Sequence, residues 1–417
     1  MFLIKNTYYS LLGTPNYLLF QPLKTQILKN SKLFFLSILI PLSISCSGQN
    51  TIEVGANNLE QHIKDLKSKN IAIVANQTSV IFKNKTQTAF THLVDSLLSK
   101  KIKVTKVFSP EHGFRGKADA AEHVANGKDA KTGLPIVSLY GKNKKPTKDQ
   151  LQDIDLVVFD IQDVGARFYT YISTLHYVME ACAENNIPVM VLDRPNPNGH
   201  YVDGPTLQIE YKSFVGMHPV PLVYGMTIAE YAQMINGERW LKNKIKCNLI
   251  VIPLKNYTHQ STYKLPIRPS PNLPNSKSIN LYPSLGFFEG TPINAGRGTE
   301  FQFQRFGSSK FPNNLFAYFP RANFGSKYPK DQNKKCYGFD LSKTPNLNKV
   351  NIAWLKKAYE LYPDKKAFFG KTFTIHAGST KLQDQLENGL SATEIQASWQ
   401  KDLKKFKNIR KKYLLYP

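Results

Sequence analysis

Apolar residues along this chain fall into short continuous runs separated by segments of helical spacing. Leu59–Lys69 carries Leu59, Ile63 and Leu66 on one side of a helix, and Ile71–Ala75 follows as a buried-strand run that ends on Asn76, Gln77 and Thr78. Thr86–Lys100 repeats the helical spacing, and Val104–Phe108 the β-branched and aromatic run. The alternation continues with a strand at Asp155–Asp160, a helix at Ile172–Asn185, a strand at Pro188–Leu192, a helix at Thr227–Leu241 and a strand at Asn248–Ile252. Strands alternating with helices of this length imply βαβ units with right-handed crossovers. The pattern therefore predicts an α/β fold built on a doubly wound parallel sheet with helices on both faces.

Pro266–Pro274 breaks the rhythm with four prolines in nine residues, a stiff extended connection that reads as a domain boundary. It divides the chain into a sheet domain at 51–265 and a smaller C-terminal domain at 275–417. The second part opens with a glycine-rich stretch, Asn294–Glu300, and closes with a helix capped by Ser391-Ala-Thr-Glu394 that runs through Trp399 and Phe406 towards Tyr413. No internal repeat is present.

The N-terminus carries a targeting signal. Lys29-Asn-Ser-Lys32 is a basic n-region, Leu33–Ser45 is an apolar run too short to span a bilayer, and small residues lead into Cys46. This resembles a bacterial lipoprotein signal over residues 1–46, with Cys46 the lipidated first residue of the mature chain. Ser43 stands where Leu is commoner. The long segment ahead of Lys29 suggests that translation starts further downstream. The expected location is the cell envelope or periplasm, tethered to the membrane.

Composition narrows the partners. Hydrophobic residues at 41% and aromatics at 12% argue for a packed globular protein, and 55 Lys+Arg against 30 Asp+Glu give a net charge of +25. Such a balance favours an anionic partner. The lysines are scattered and accompany no nucleic-acid-reading signature, so nucleic acid is set aside and most of them form a solvated basic surface. Cys182, Cys247 and Cys336 show no metal-ligand spacing and read as core thiols, and no metal site is expected. With neither a P-loop nor a G-x-G-x-x-G after a strand, no nucleotide cofactor is expected.

The chemistry lies at the strand ends, where ligands bind in open α/β sheets. Four polar clusters stand there: Asn76 with Gln77; Glu111, His112 and Arg115; Asp160, Gln162, Asp163 and Arg167; and Asp193, Arg194 and Asn196. Clusters at one edge of one sheet should converge on one polar cleft. The segment Ser109-Pro-Glu-His-Gly-Phe-Arg-Gly116 packs a carboxylate, an imidazole and a guanidinium into a single loop, with Phe108 and Phe114 as apolar neighbours able to raise the Glu111 pKa by desolvation.

Laid out in this order, the chain resembles the NamZ family of exo-β-N-acetylmuramidases from Ile71 to Tyr416. The stretches that carry the resemblance are Ser109–Gly116, Asp160–Tyr171, Asp193-Arg-Pro-Asn-Pro197, Glu289-Gly-Thr291 and Gly296-Arg-Gly-Thr-Glu300. The resemblance implies a Rossmann-like sheet domain and a smaller α+β C-terminal domain with the active site between them. It also implies release of N-acetylmuramic acid from the non-reducing end of peptidoglycan fragments of the MurNAc-GlcNAc type, with Glu111 as the catalytic carboxylate. Glycoside hydrolysis needs a protonated carboxyl and a second group. His112 is a candidate helper, and Asp160, Asp163, Glu289 and Glu300 are candidates for the second group. Asp160 or Asp163 pairing with Arg167, and Glu300 with Arg297, are the alternatives. Arg115, Arg167, Arg194 and Arg297 are candidate forks for the lactyl carboxylate, and Tyr169 and Tyr171 either stack on the sugar or pack in the core. A non-catalytic muropeptide-binding lipoprotein would use the same cleft. A cell-wall esterase or amidase ranks below both, because no G-x-S-x-G elbow or S-x-x-K is present.

Overall fold

The computed structural model describes residues 51–116 and 126–417. The strands of the sheet domain are β1 (Ile71–Ala75), β2 (Val80–Phe82), β3 (Phe90–His92), β4 (Val104–Ser109), β5 (Gly127–Lys128), β6 (Pro135–Ser138), β7 (Leu156–Asp160), β8 (Val189–Leu192) and β9 (Leu249–Ile252). Seven of them form one sheet in the order β5-β6-β4-β1-β7-β8-β9, parallel throughout except for β5 at its edge. The chain moves from β1 outward to β4 and β6, then returns past β1 to β7 and continues to β8 and β9. That is the doubly wound Rossmann order, and the reversal beside β1 is where such sheets open a crevice at their strand ends.

The sheet is buried on both faces. Ala72, Val74, Phe108, Val157 and Phe159 point into one core, and Ile71, Ile73, Val107, Leu156 and Val158 into the other. Helices Tyr171–Glu184 and Ile228–Gly237 cover the first face and Leu93–Ser99 the second. This two-sided burial explains why the strands read as continuous apolar runs. The first core continues into the C-terminal part through Phe287, Phe306, Leu355 and Phe373, and the described residues pack as one compact unit. The smaller domain holds an antiparallel sheet of β10 (Arg305–Ser308), β11 (Phe316–Tyr318) and β12 (Cys336–Asp340), with β12 central, and short helices after it.

Several expected elements are corrected. Thr86–Lys100 is not one helix: β2 and β3 pair as an antiparallel hairpin, and only Leu93–Ser99 is helical. The hairpin forms because the Asn84 side chain accepts from the backbone of Thr88 while Gln87 adopts φ 56°, closing a turn, and His92 then caps the helix by accepting from Val94 N. Leu59–Lys69 is a broken path, with a 3-10 turn at Leu59–His62 between helices Gly55–Asn58 and Ile63–Lys67. The C-terminal helix keeps its Ser391 capping box but interrupts at Trp399, whose indole is buried and donates to Asp203 Oδ1. Strand β6 went unread.

The proline-rich connection is not a loose hinge. Ser270, Asn272 and Leu273 are buried, and the backbone carbonyl of Pro269 accepts from Tyr169 Oη (2.8 Å) and Gln77 Nε2 (3.2 Å).

Candidate active site

A pocket of about 350 Å³ opens where the sheet's strand-end loops meet residues 270–303 and His376. Glu111 and His112 follow β4, Tyr140 follows β6, and Tyr169 and Thr170 follow β7, so the ends of three parallel strands supply one wall. Phe168, Phe214, Tyr282 and Phe303 supply apolar surface, and Glu289 and Arg297 face in from the C-terminal domain. The volume lies at the lower end of ligand pockets, suited to one small ligand unit rather than a length of polymer.

Glu111 is fixed by the turn that carries it. His112 (φ 71°) and Gly113 (φ 80°) both take left-handed backbone, and the Gly113 amide donates to Pro110 O (3.1 Å), folding the loop back directly after β4. The Glu111 carboxylate accepts from Thr170 Oγ1 (2.8 Å), at the N-cap of helix Tyr171–Glu184, and from the Tyr140 hydroxyl. Burial, the nearby Glu111 charge and that hydrogen bond raise the Tyr140 pKa well above the usual phenol, so this hydroxyl is a donor at every working pH. Tyr171 Oη donates to the Glu111 carbonyl (3.4 Å) and accepts from Asn76 Nδ2 (2.9 Å), so Asn76 and Tyr171 support the loop from beneath without lining the pocket.

Across the pocket, Arg297 Nε donates to Glu289 Oε1 (3.0 Å). Burial alone would raise the Glu289 carboxyl, but the charges of Arg297 and Lys330, with the Arg297 hydrogen bond, outweigh it and hold Glu289 below its ordinary value. Glu289 is therefore an ionised carboxylate at neutral pH. His376 Nδ1 donates to Thr372 O (2.9 Å), which leaves Nε2 as the other face of the ring, and burial lowers its pKa towards the neutral imidazole.

The remaining strand-end clusters serve the architecture. Arg194 donates twice to Asp160 (Nε–Oδ1 2.6 Å, Nη2–Oδ2 2.9 Å), both side chains being buried, and its Nη2 also reaches Val80 O. Asp163 accepts from Gly165 N and the Tyr224 hydroxyl, and burial raises its pKa to about 6. Gln162 donates to Pro195 O, Asn196 to Met226 O, and Asp193 accepts from Thr227, Ala229 N and Tyr416, with burial raising its pKa to about 7. Among the described residues Arg167 pairs with no aspartate. Its guanidinium, fully buried, donates to the carbonyls of Pro205, Val220, His376 and Ala377. Gly378, at φ 87°, lets it approach, since a Cβ there would lie 2.7 Å from Nη2.

The expected single cleft is thus two arrangements, a pocket and a buried polar network behind it. The structure brings Glu111, His112, Tyr169, Glu289 and Arg297 together at the pocket, while Asp160, Asp163, Gln162, Arg167, Asp193, Arg194 and Asn196 stay behind its walls. Glu300 is solvent-exposed off the pocket, and Arg297 pairs with Glu289 instead. Phe108 and Phe114 lie in different cores and neither lines the pocket. Tyr140, Phe214, Tyr282 and His376 escaped sequence reading. Tyr140 follows the unread strand β6, and His376 sits on a five-residue helix with no motif around it.

Arg115 also stands away from the pocket, donating to Asp129 (Nη2–Oδ2 2.7 Å, Nε–Oδ1 3.2 Å) and to Asp95 (3.1 Å). The Arg115 hydrogen bonds hold the Asp129 pKa down to about 2 against an ordinary 3.8. Because the folded value is the lower one, this contribution is present above pH 3.8 and is lost as pH falls through about 2. Asp129→Asn should cost about 1–3 kcal/mol at neutral pH, as expected for a charge-assisted bond at a nearly buried acceptor. It should cost almost nothing at pH 2, in urea titrations followed at both pH values.

Comparison with known proteins follows the same outline. The chain matches the family model described as exo-β-N-acetylmuramidase NamZ, N-terminal, over residues 71–277, and its C-terminal counterpart over residues 280–416. It is 40% identical over 380 residues to the peptidoglycan β-N-acetylmuramidase NamZ of Bacillus subtilis (strain 168), covering 86% of this chain and 89% of that protein. Two crystal structures of DUF1343 family proteins from Bacteroides fragilis NCTC 9343 superpose on it. One has a TM-score of 0.80 at 44% identity, over 88% of this chain and 99% of the other; the second has 0.75 at 29% identity, over 88% and 100%.

Proposed function

The chain belongs to the NamZ family and is an exo-acting peptidoglycan β-N-acetylmuramidase; from that premise we propose that the Glu111 pocket is where N-acetylmuramic acid is released from the non-reducing end of a glycan fragment. The observation that supports this most is a positioned carboxyl, Glu111, facing a charged Glu289–Arg297 pair across a pocket of single-sugar scale walled by aromatic rings.

In this reading Glu111 gives its proton to the glycosidic oxygen as the bond from that oxygen to the sugar breaks. Thr170 and Tyr140 set its orientation. Positive charge then develops at the anomeric carbon of the muramic acid ring, and the ionised Glu289 lowers its energy electrostatically; a water adds to that carbon and its released proton restores the acid, completing the hydrolysis. Arg297 supplies the cation for the lactyl carboxylate that distinguishes muramic acid from glucosamine. Tyr169, Phe214 and Tyr282 offer apolar faces for the sugar ring. The test is release of free sugar from a MurNAc-GlcNAc disaccharide beside a GlcNAc-GlcNAc control. Hydrolysis of the first and not the second is expected, and equal rates on both would contradict the role given to Arg297.

Cys46 lies outside the described residues. We propose, from the basic n-region and short apolar run before it, that it carries a lipid that tethers the enzyme in the cell envelope. Mass spectrometry of the mature N-terminus should find an acylated Cys46; an unmodified terminus elsewhere would refute the anchor.

A further inference from the structure

A pocket of single-sugar scale leaves the rest of the glycan to run out beyond it, and one loop tied to its lining residues has an unusual surface. The segment 323–330 is moored to two residues that line the pocket, Asn272 and Glu289, and to neighbours of Glu289. At one end, the side chain of Asn272, a pocket-lining residue, donates to the Gly325 carbonyl. At the other, Lys330 Nζ donates to the carbonyls of Phe288 (2.6 Å), Thr291 (2.5 Å) and Glu289 (3.2 Å), and the Lys330 carbonyl accepts from Asn294 Nδ2 (2.9 Å). Around the first mooring the backbones of Asn323 and Ser326 bond to each other (3.0 and 3.1 Å), closing a tight turn over Phe324 and Gly325.

This firmly held loop presents Phe324 at 65% and Tyr328 at 90% exposure, the two most exposed large apolar side chains among the described residues. Scattered exposed aromatics need no explanation, but a pair four residues apart on an anchored loop beside a ligand pocket is a ready stacking surface. Arg321, exposed at the foot of the loop and fixed through its amide to Gly298 O (2.8 Å), adds positive charge where a glycan bearing lactyl and peptide carboxylates would pass.

We infer that the Phe324–Tyr328 loop is the binding platform for the saccharides beyond the bond that is cleaved, Phe324 and Tyr328 stacking on their apolar faces. The inference rests on the muramidase reading of the pocket. It makes the loop a determinant of chain-length preference and leaves it outside the chemistry of bond cleavage.

The experiment compares the double variant Phe324→Ala/Tyr328→Ala with the wild type on two substrates. One is a glycan of four or more sugars ending in N-acetylmuramic acid, and the other is the glycosyl fluoride of N-acetylmuramic acid, which has no sugar beyond the broken bond. Expected is a rise of about 10-fold in KM for the glycan. No change is expected in kcat for the glycan, in either constant for the fluoride, or in the melting temperature. Tyr328→Phe with Phe324→Tyr should restore the glycan KM. Equal losses on both substrates would place the residues in the pocket's support and overturn the platform, as would no loss on either. A wild-type enzyme inert on both substrates would instead overturn the muramidase reading, and the platform with it.

Discussion

Glu111→Gln should lower kcat on a MurNAc-GlcNAc disaccharide by about 10²- to 10⁴-fold, the range for removal of a positioned general acid, while KM and the melting temperature stay close to wild type. The amide keeps the size and the acceptor oxygen that Thr170 Oγ1 contacts, so the loop after β4 has no reason to move. A substrate whose leaving group departs without protonation should be hit less hard, because Glu289 still faces the ring. Tyr140→Phe and Thr170→Val should be milder than Glu111→Gln, since each removes one of two hydroxyls that orient the acid. A folded Glu111→Gln protein with near-wild-type turnover would show that the acid lies elsewhere.

The second large effect is on stability. Arg167→Met should cost about 3 kcal/mol or more, because the carbonyls of Pro205, Val220, His376 and Ala377 lose a charged donor in a site closed to water. Burial lowers the Arg167 pKa to about 10, so the side chain is still a cation at neutral pH, offset by carbonyl dipoles rather than by a carboxylate. Arg167→Lys should not restore stability: an ammonium is a point donor and lacks the planar fork that reaches two pairs of carbonyls in different directions. Thermal and urea unfolding of the purified variants gives the answer. A substrate-binding arginine would behave in the opposite way, with KM rising and the melting curve unmoved. Because Arg167 holds the backbone of His376, partly folded variants should also lose activity.

The contrast between Glu111 and Arg167 shows what the chain's order of residues can reveal. Strand β1 occupies the residues its apolar run marks, and β4, β7, β8 and β9 begin or end within a residue of theirs, because strands buried on both faces leave an unbroken hydrophobic trace. The hairpin of β2 and β3 was hidden, since Phe90, Leu93 and Leu97 imitate helical spacing while the turn depends on Asn84 and Gln87. Polar residues at strand ends were equally visible, but their partners were not. Asp160 finds Arg194 from the next strand end, Arg115 finds Asp129, and Arg167 finds carbonyls about 200 positions away, choices that exist only once the sheet has assembled. Local sequence shows that a charge sits at an edge, whereas packing decides whether it faces the ligand or the protein.

The pocket's far wall was the least legible part. Glu289 and Arg297 stood within recognisable segments, yet their pairing with each other, and the approach of His376 from a short helix, follow from how the C-terminal domain packs on the sheet. Tyr282 and Phe303 look like ordinary core aromatics in sequence, and they do pack edge-to-face at 4.8 Å, with one side of that pair turned to the pocket.

The most direct test is a crystal structure of the Glu111→Gln protein soaked with a MurNAc-GlcNAc disaccharide. The expected result has the muramic acid residue in the pocket, its glycosidic oxygen within hydrogen-bonding reach of the Gln at 111, its lactyl carboxylate on Arg297, and the glucosamine leaving over the pocket rim. A disaccharide bound elsewhere, or in the pocket with the glucosamine inward and the glycosidic oxygen far from residue 111, would contradict the assignment of Glu111 as the acid.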